Sequence, residues 1–233
     1  MPNYIHTEKN HSGSNIKDII LGGQDGLVNV LGVILAVAAA THDTKIIIIA
    51  GLAATFAESI SMAAVAYTST KASLSYYQAQ VEVEKEEIEK VPKIETKEIY
   101  DIYYAKGFRG SLLQKIIDKI TSNKQVWLET MMTEELGLVK GKFENPNKSA
   151  FVVGFSAVIG SLIPLFPFFF LSVSPSIIIS LIVSAIALFI TGAVKARLTV
   201  GNWFKSGLEI LIIGMVAAIV GYLIGFFLGK ISF

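Results

Sequence analysis

Long apolar segments separated by short polar connections dominate the pattern of this 233-residue chain. A transmembrane helix needs about 20 mostly apolar residues, because each residue adds about 1.5 Å and the bilayer core is about 30 Å thick. The connections after the first and third apolar segments are so short that the helices they join must be antiparallel neighbours. Five segments are long enough, and each is predicted to span a membrane: residues 19–40, 46–70, 149–171, 176–194 and 208–228.

A charged segment of a different kind, residues 71–148, separates the second span from the third. It holds two thirds of the chain's Lys, Arg, Asp and Glu residues, which predicts an insert outside the membrane. The insert is too short for much core of its own, so we expect it to pack on the membrane ends or on a second subunit. Helix-favouring composition, with Pro92 and Gly137 as helix ends, predicts four helices over residues 76–90, 96–106, 111–120 and 123–137.

Together these segments predict an all-α integral membrane protein with five transmembrane helices and a cytosolic helical insert between the second and third. Lysines and arginines are concentrated in the insert, before the first span and between the last two spans. Because positively charged loops stay in the cytosol, the N-terminus and the insert are expected there and the C-terminus outside. The predicted divisions are a polar tail (1–18), helices 1 and 2 (19–70), the insert (71–148) and helices 3 to 5 (149–233).

Composition excludes several classes of function. The chain is 52% hydrophobic with a mean hydropathy of +0.57, which is too apolar for a soluble domain of this length. Its formal net charge of +1 gives no field that would attract nucleic acid. Because the sequence has no cysteine, disulfides, thiolate zinc sites and iron–sulfur clusters are ruled out. No catalytic constellation or phosphate-binding loop is recognisable, so we expect neither an enzyme nor a permanently bound cofactor.

A single carboxylate, Glu58, lies in the middle of the apolar segment 46–70. A charge at the bilayer centre costs at least roughly 2.5–3.5 kcal/mol, so chains that keep one usually use it for ion passage or proton relay. Met62 follows one turn later on the same face, and a thioether beside a carboxylate suggests a transition-metal route. Asp25 lies two turns into the first span. Each acid also has an alternative explanation that involves no transport. Asp25 could be a solvated residue at the membrane interface, and Glu58 could be a protonated carboxyl with a structural role.

The insert contains a second group of acids, in which five glutamates crowd two helical turns and three acids follow Pro92. Like charges three or four residues apart repel each other, and a bound cation would reverse that penalty. A solvated face balanced by neighbouring lysines is the alternative. The fourth predicted helix favours a metal, because Met131 and Glu135 are four residues apart and the methionines are adjacent to acids. Carboxylate oxygen with thioether sulfur suits Fe2+-like ions better than Mg2+ or Ca2+.

The fifth span carries small residues at every fourth position, Gly221, Gly225 and Gly229. This spacing lets two helix backbones approach closely within a membrane. The partner helix could belong to the same chain or to another subunit, and the sequence leaves both alternatives open.

Four stretches of the chain resemble motifs of the vacuolar iron transporter family, in the same order and over nearly the whole length. Residues 25–32 (DGLVNVLG) resemble the first-helix motif, and residues 59–64 (SISMAA) resemble the second-helix motif. Residues 131–138 (MMTEELGL) resemble the end of the family's cytosolic metal-binding domain, and residues 163–167 (IPLFP) resemble part of its third span.

The resemblance implies five spanning helices, a cytosolic helical insert, a homodimer, and proton-driven movement of Fe2+, in some members Mn2+, out of the cytosol. Carried over by position, it makes Asp25 and Met62 pore ligands. It also implies metal ligands in the insert, arranged as two Glu-x-x-Glu pairs and one Met-x-x-x-Glu pair: Glu84, Glu87, Glu95, Glu98, Met131 and Glu135.

One position departs from the family pattern. Many members have a Gly-Glu pair before the tyrosine of the second span, where this chain has Val65 and Ala66. The acid of this span is Glu58 instead, which lies one turn before Met62 rather than one turn after it. Because Glu58, Met62 and Ala66 share one stripe of the helix, the pore is expected to keep its carboxylate at a different depth.

The sequence therefore predicts a proton-coupled transporter that moves divalent transition metal out of the cytosol through Asp25, Glu58 and Met62. Fe2+ and Mn2+ are the expected substrates, and Co2+ and Zn2+ stay open because the same ligands accept several metals. A membrane-anchored metal buffer or sensor without transport, and a passive divalent cation channel, are the alternatives. The expected location is a prokaryotic cell membrane, with a vacuolar membrane as the alternative. The expected partners are metal ions, protons, the lipid bilayer and a second copy of the chain.

Overall fold

A computed structural model of the protein describes residues 12–139, 145–198 and 201–230, and every regular element in these ranges is helical, as predicted. A π-helical turn, Met131–Glu135, follows the fifth α-helix, and a 3-10 turn, Phe166–Phe169, follows the sixth. The α-helices are, in chain order, α1 Ser12–Thr41, α2 Thr44–Lys90, α3 Pro92–Ala105, α4 Gly110–Thr121, α5 Lys124–Thr130, α6 Pro146–Leu165, α7 Val173–Leu198 and α8 Trp203–Leu228.

Five of the described helices, α1, α2, α6, α7 and α8, are long and apolar enough to cross a membrane, which confirms the five-span prediction. The first helix begins earlier than predicted, at Ser12, so residues 12–18 of the expected polar tail are helical. Residues 1–11, which include two of the three histidines, lie outside the described part of the chain.

The second helix is also longer than predicted. The sequence predicts separate helices over residues 46–70 and 76–90, but α2 runs without a break from Thr44 to Lys90. The intervening residues 71–75 (KASLS) contain neither Pro nor Gly, so nothing in the backbone ends the helix there. At about 1.5 Å per residue, 47 residues make a helix more than twice as long as the bilayer core is thick. We therefore assign only its apolar part, residues 46–70, to the membrane.

Small residues let α1 pack tightly against two other membrane helices. On one side, Gly22 and Gly26 bring α1 against the backbone of α6, near the carbonyl groups of Val153 and Ala157. On another side, three glycines at the C-terminal end of α8 meet small residues of α1, and a β-carbon at any of these three would overlap α1. The small-residue pattern of the fifth span is thus used within one chain, in the pairs Gly221–Gly32, Gly225–Ala36 and Gly229–Ala40.

Residues from Ser69 to Asn145 form a compact unit of their own. The expectation that this segment is too short for much core is wrong, because the extension of α2 offers a long surface on which the short amphipathic helices pack. Residues of α4 at helical spacing, Leu113, Ile117 and Ile120, supply one side of that core. The complete buried cluster is Ile88, Ile99, Leu113, Ile117, Ile120, Trp127, Leu128, Met131 and Met132.

Candidate metal sites

The turn between α2 and α3 brings acidic side chains together in the insert. α3 starts at Pro92 rather than at the predicted residue 96, because a proline at the first helical position loses no hydrogen bond that the helix needs. Only one residue separates the two helices, so the last turns of α2 lie close to the start of α3. As a result, one carboxylate oxygen from each of Glu84, Glu87 and Glu95 lies within 4.8 Å of the others.

Two members of this group are removed from solvent. Glu84 and Glu95 are only 4% and 3% exposed, whereas Glu87 is exposed. One carboxylate oxygen of Glu84 and one of Glu95 are buried without a hydrogen-bond partner among the described residues. Burying an unpaired carboxylate is costly, so these groups require either a proton or a nearby cation.

Two further predicted ligands, Glu98 and Glu135, belong to the same electrostatic group. Burial, followed by the negative charge of Glu135, raises the pKa of Glu84 to about 7. Burial, followed by the charge of Glu98, raises the pKa of Glu95 to about 7. Burial and the charges of Glu98 and Glu87 also raise the pKa of Glu135. We call these five residues the insert cluster: Glu84, Glu87, Glu95, Glu98 and Glu135.

Four lysines of the insert form ion pairs with acids other than those of the insert cluster. Among the described residues, no ion pair involves a member of the cluster. The alternative of a solvated, lysine-balanced face therefore fits the outer acids of α2, and it does not fit the cluster itself. The observed pairs are Lys85–Glu82 and Lys90–Glu86, both at 2.7 Å, Lys124–Glu89 at 3.0 Å, and Lys106–Glu134.

The segment that carries Met131 and Glu135 differs from the single helix predicted over residues 123–137. After α5 the chain widens into a π-helical turn, in which the Leu136 N–H donates to the Met131 carbonyl at 3.3 Å. Met131 is fully buried in the apolar core of the insert, as is the methionine that follows it. The expectation that these methionines lie with the acids rather than on an apolar stripe is therefore wrong. A ligand role for Met131 stays a prediction.

The second candidate site lies in the other compact unit, which contains the residues up to Thr68 and those from Pro146 onward, and which we call the membrane unit. There Glu58 of α2 lies beside α1. The Glu58 carboxyl lies beside the side chains of Asp25 and Asn29, and both acids are half-buried. Two neighbouring carboxyl groups repel each other when both are ionised, so a proton on one of them stabilises the pair. Met62, one turn after Glu58, is also half-buried. The structure thus brings Asp25 and Glu58 together and leaves Met62 one turn further along α2.

Sequence reasoning missed Asn29 as a member of this membrane site. Asn29 follows Asp25 by four residues in α1, so the two side chains share one face of the helix. That spacing of two polar residues in an apolar helix is the signal that could have revealed it. An amide donates through its NH2 group and accepts through its oxygen, so Asn29 suits Glu58 whether the carboxyl is ionised or protonated.

Comparison with known proteins places this arrangement in a family. The model of the VIT family matches residues 16–226. Vacuolar iron transporter 1 of Oryza sativa is 33% identical over 219 residues, which are 93% of this chain and 87% of that protein. Vacuolar iron transporter 1 of Arabidopsis thaliana is 31% identical, over 91% of this chain and 86% of its own. The vacuolar iron transporter of Plasmodium falciparum is 30% identical, over 91% of this chain and 81% of that protein. The chain therefore belongs to the VIT family.

Proposed function

We propose that this integral membrane protein is a proton-coupled transporter that moves divalent transition metal out of the cytosol. Fe2+ is the expected substrate and Mn2+ the alternative; the names of the relatives favour iron among the metals that such ligands accept. The observation that carries the proposal is the buried acidic group of the insert, in which two carboxylate oxygens have no hydrogen-bond partner among the described residues. The contact of Glu58 with Asp25 in the membrane unit supports it.

The insert would act first, as a collector of metal. Its carboxylates provide several oxygen ligands within a small volume, and Glu84 and Glu95 have pKa values of about 7. Near neutral pH these two groups are therefore partly protonated, and a divalent cation displaces the protons when it binds. Binding thus removes the mutual repulsion of the cluster, which gives it affinity for a doubly charged ion.

The membrane site would exchange the metal for a proton. Asp25 and Glu58 lie side by side, so one bound proton relieves their mutual repulsion, and the same oxygens can bind a cation once that proton has left. A proton and a divalent metal therefore compete for one pair of carboxyl groups. Met62 would add a soft sulfur ligand one turn away, which favours a transition metal over Mg2+ or Ca2+.

A vesicle assay tests this proposal directly. The purified protein is reconstituted into vesicles that contain an iron-sensitive dye, and Fe2+ entry is recorded with and without a pH gradient. We expect a flux that a pH gradient drives and that stops when the gradient is collapsed. Running the same assay with Mn2+, Co2+ and Zn2+ ranks the substrates.

The two alternative functions give different results in the same assay. A membrane-anchored buffer or sensor would bind metal but show no flux above that of protein-free vesicles. A passive channel would show a metal flux that depends on the metal gradient but not on the pH gradient. The Glu58–Asp25 contact favours transport over a buffer, because a simple anchor has no use for two polar acids between its helices.

The proposal extends to assembly and location. The family resemblance favours a homodimer, and we expect it in a prokaryotic cell membrane. The positive-inside rule favours an orientation with the N-terminus and the insert in the cytosol and the C-terminus outside. Cysteine scanning supplies the topology test, because the native chain has no cysteine that would react. A membrane-impermeant thiol reagent should label a cysteine introduced at Lys230 in intact cells, and should leave one introduced at Lys97 unlabelled.

A further inference from the structure

One face of α7 carries serines at every fourth position, Ser176, Ser180 and Ser184, and all three are fully buried. The first two donate hydrogen bonds to backbone carbonyl groups in the last turn of α6 and in the 3-10 turn that follows it. Ser176 Oγ donates to the Pro167 carbonyl at 3.2 Å, and Ser180 Oγ donates to the Pro164 carbonyl. Such bonds stabilise the end of a membrane helix where prolines interrupt the regular hydrogen-bond pattern.

The third serine of this series has no such partner. The Ser184 hydroxyl oxygen is buried and unpaired among the described residues, and so is that of Ser161 on α6. The two helices run antiparallel, and the bond from Ser180 to Pro164 fixes their register. One turn away from that bond, Ser184 therefore comes level with Gly160, the residue that precedes Ser161 on α6.

The Gly160 carbonyl is a further polar group at this level. Pro164 has no N–H, so it cannot supply the hydrogen bond that residue i+4 normally gives to a carbonyl in an α-helix. The third helix of the region, α1, covers Ser161 closely, since a β-carbon added to Gly26 would stand 2.7 Å from the Ser161 hydroxyl oxygen. The hydroxyl is fully buried, so neither lipid nor bulk water satisfies it.

We propose that Ser161, Ser184 and the Gly160 carbonyl bind one internal water molecule. Buried waters typically make about three hydrogen bonds to polar groups that are otherwise unsatisfied, and this level of the bundle offers three. The water would donate to the Gly160 carbonyl and to one serine oxygen while it accepts from the other hydroxyl. This water would extend the series of serine hydrogen bonds by one bond that passes through water. It would thereby hold α6 to α7 one turn before Pro164.

The thermal stability of alanine variants tests this proposal, because a bound water and an unpaired hydroxyl predict different changes in the unfolding midpoint. If a water molecule joins the groups, Ser161→Ala and Ser184→Ala each break that network, and the midpoint of thermal unfolding falls by about 2–4 °C. The double variant should fall no further than the lower single variant, because one water serves both serines. If the hydroxyls are simply unpaired, their removal leaves the midpoint unchanged or raises it, and the proposal is overturned.

A control variant and a second measurement complete the test. Ser180→Ala removes a direct bond to α6, so its effect should add to that of Ser184→Ala. Radiolytic hydroxyl labelling of the full-length protein should modify residues 160–164 in the native chain, because a bound water is the source of the radical. That labelling should fall severalfold in Ser184→Ala. Absence of labelling at these residues in the native protein would contradict a bound water, even if a variant failed to fold.

Discussion

Glu58 in the membrane unit and Glu84 in the insert are both carboxylates in largely apolar surroundings, yet their neighbours differ. Glu58 has one carboxyl and one amide neighbour, both on the same helix. Glu84 has four carboxylate neighbours, drawn from three helical elements, and no ion pair among the described residues. One shared proton satisfies the membrane pair, whereas the insert cluster needs several protons or a multivalent cation.

This difference bears on how tightly each site should hold a metal. A dense group of uncompensated carboxylates gains much from a divalent cation, because the cation removes repulsion as well as forming bonds. A single carboxyl pair gains less, and it keeps a proton as a ready competitor. We infer that the insert captures the ion and that the membrane pair passes it on.

Replacement of the membrane acid should have the largest effect on transport. Glu58→Gln keeps a polar side chain of the same size beside Asp25 and Asn29, but this side chain cannot exchange a proton. We expect Fe2+ flux in vesicles to fall at least about tenfold, which corresponds to ~1.4 kcal/mol in the barrier. Glu209→Gln is the matched control, because Glu209 is an exposed acid of another spanning helix. Normal flux in Glu58→Gln would show that this carboxyl is not a relay.

Removal of two insert acids should weaken binding without stopping the membrane unit from folding. We expect the double substitution Glu84→Ala and Glu87→Ala to reduce Mn2+ affinity at least about tenfold, or ~1.4 kcal/mol. Isothermal titration calorimetry on the purified full-length protein measures the change. Glu82→Ala with Glu86→Ala is the control pair, because these acids lie on the same helix and pair with lysines. Equal affinity in the two double variants would argue against the insert cluster as the metal site.

The pH dependence of stability should distinguish the metal-free from the metal-bound insert. The pKa values of Glu84 and Glu95 rise on folding from 4.5 to about 7. Their protonated forms therefore favour the folded state below about pH 4.5, and this contribution is lost as pH rises through 7. In a chelator, the unfolding midpoint should be lower at pH 8 than at pH 5.5. Added Mn2+ should raise the midpoint at pH 8 more than at pH 5.5. A midpoint that does not change with pH would refute the raised pKa values of Glu84 and Glu95.

The smallest expected effect concerns Met131. Met131→Leu keeps the volume of a fully buried side chain, so it should cost less than about 1.5 kcal/mol of stability. If the thioether is a ligand, affinity for Fe2+ should fall more than affinity for Mn2+, because sulfur prefers the softer metal. Anaerobic titration of both metals measures the ratio. An unchanged ratio would assign Met131 to the core alone.

Some features of the candidate sites can be read from local sequence, and others cannot. Glu58 stands out because it is the only charged residue in its apolar segment, and hydropathy is a local property. Asn29 was missed, since its role depends on a neighbouring helix rather than on its own segment. The burial of Met131 was missed too, because acids lie within a few residues of it in the sequence, whereas in the structure it belongs to an apolar cluster with Trp127 and Leu128.

The sequence by itself determined the all-helical fold, the five spans, the charged insert and the identity of the acids, because apolar length and charge placement act within one segment. Only the tertiary structure decided that α2 continues into the insert, that α8 packs on α1, and that the insert has a core. It also decided which glutamates are buried together and which pair with lysines. Those outcomes depend on contacts between residues distant in sequence, and the free energy of such contacts is not encoded in any single segment.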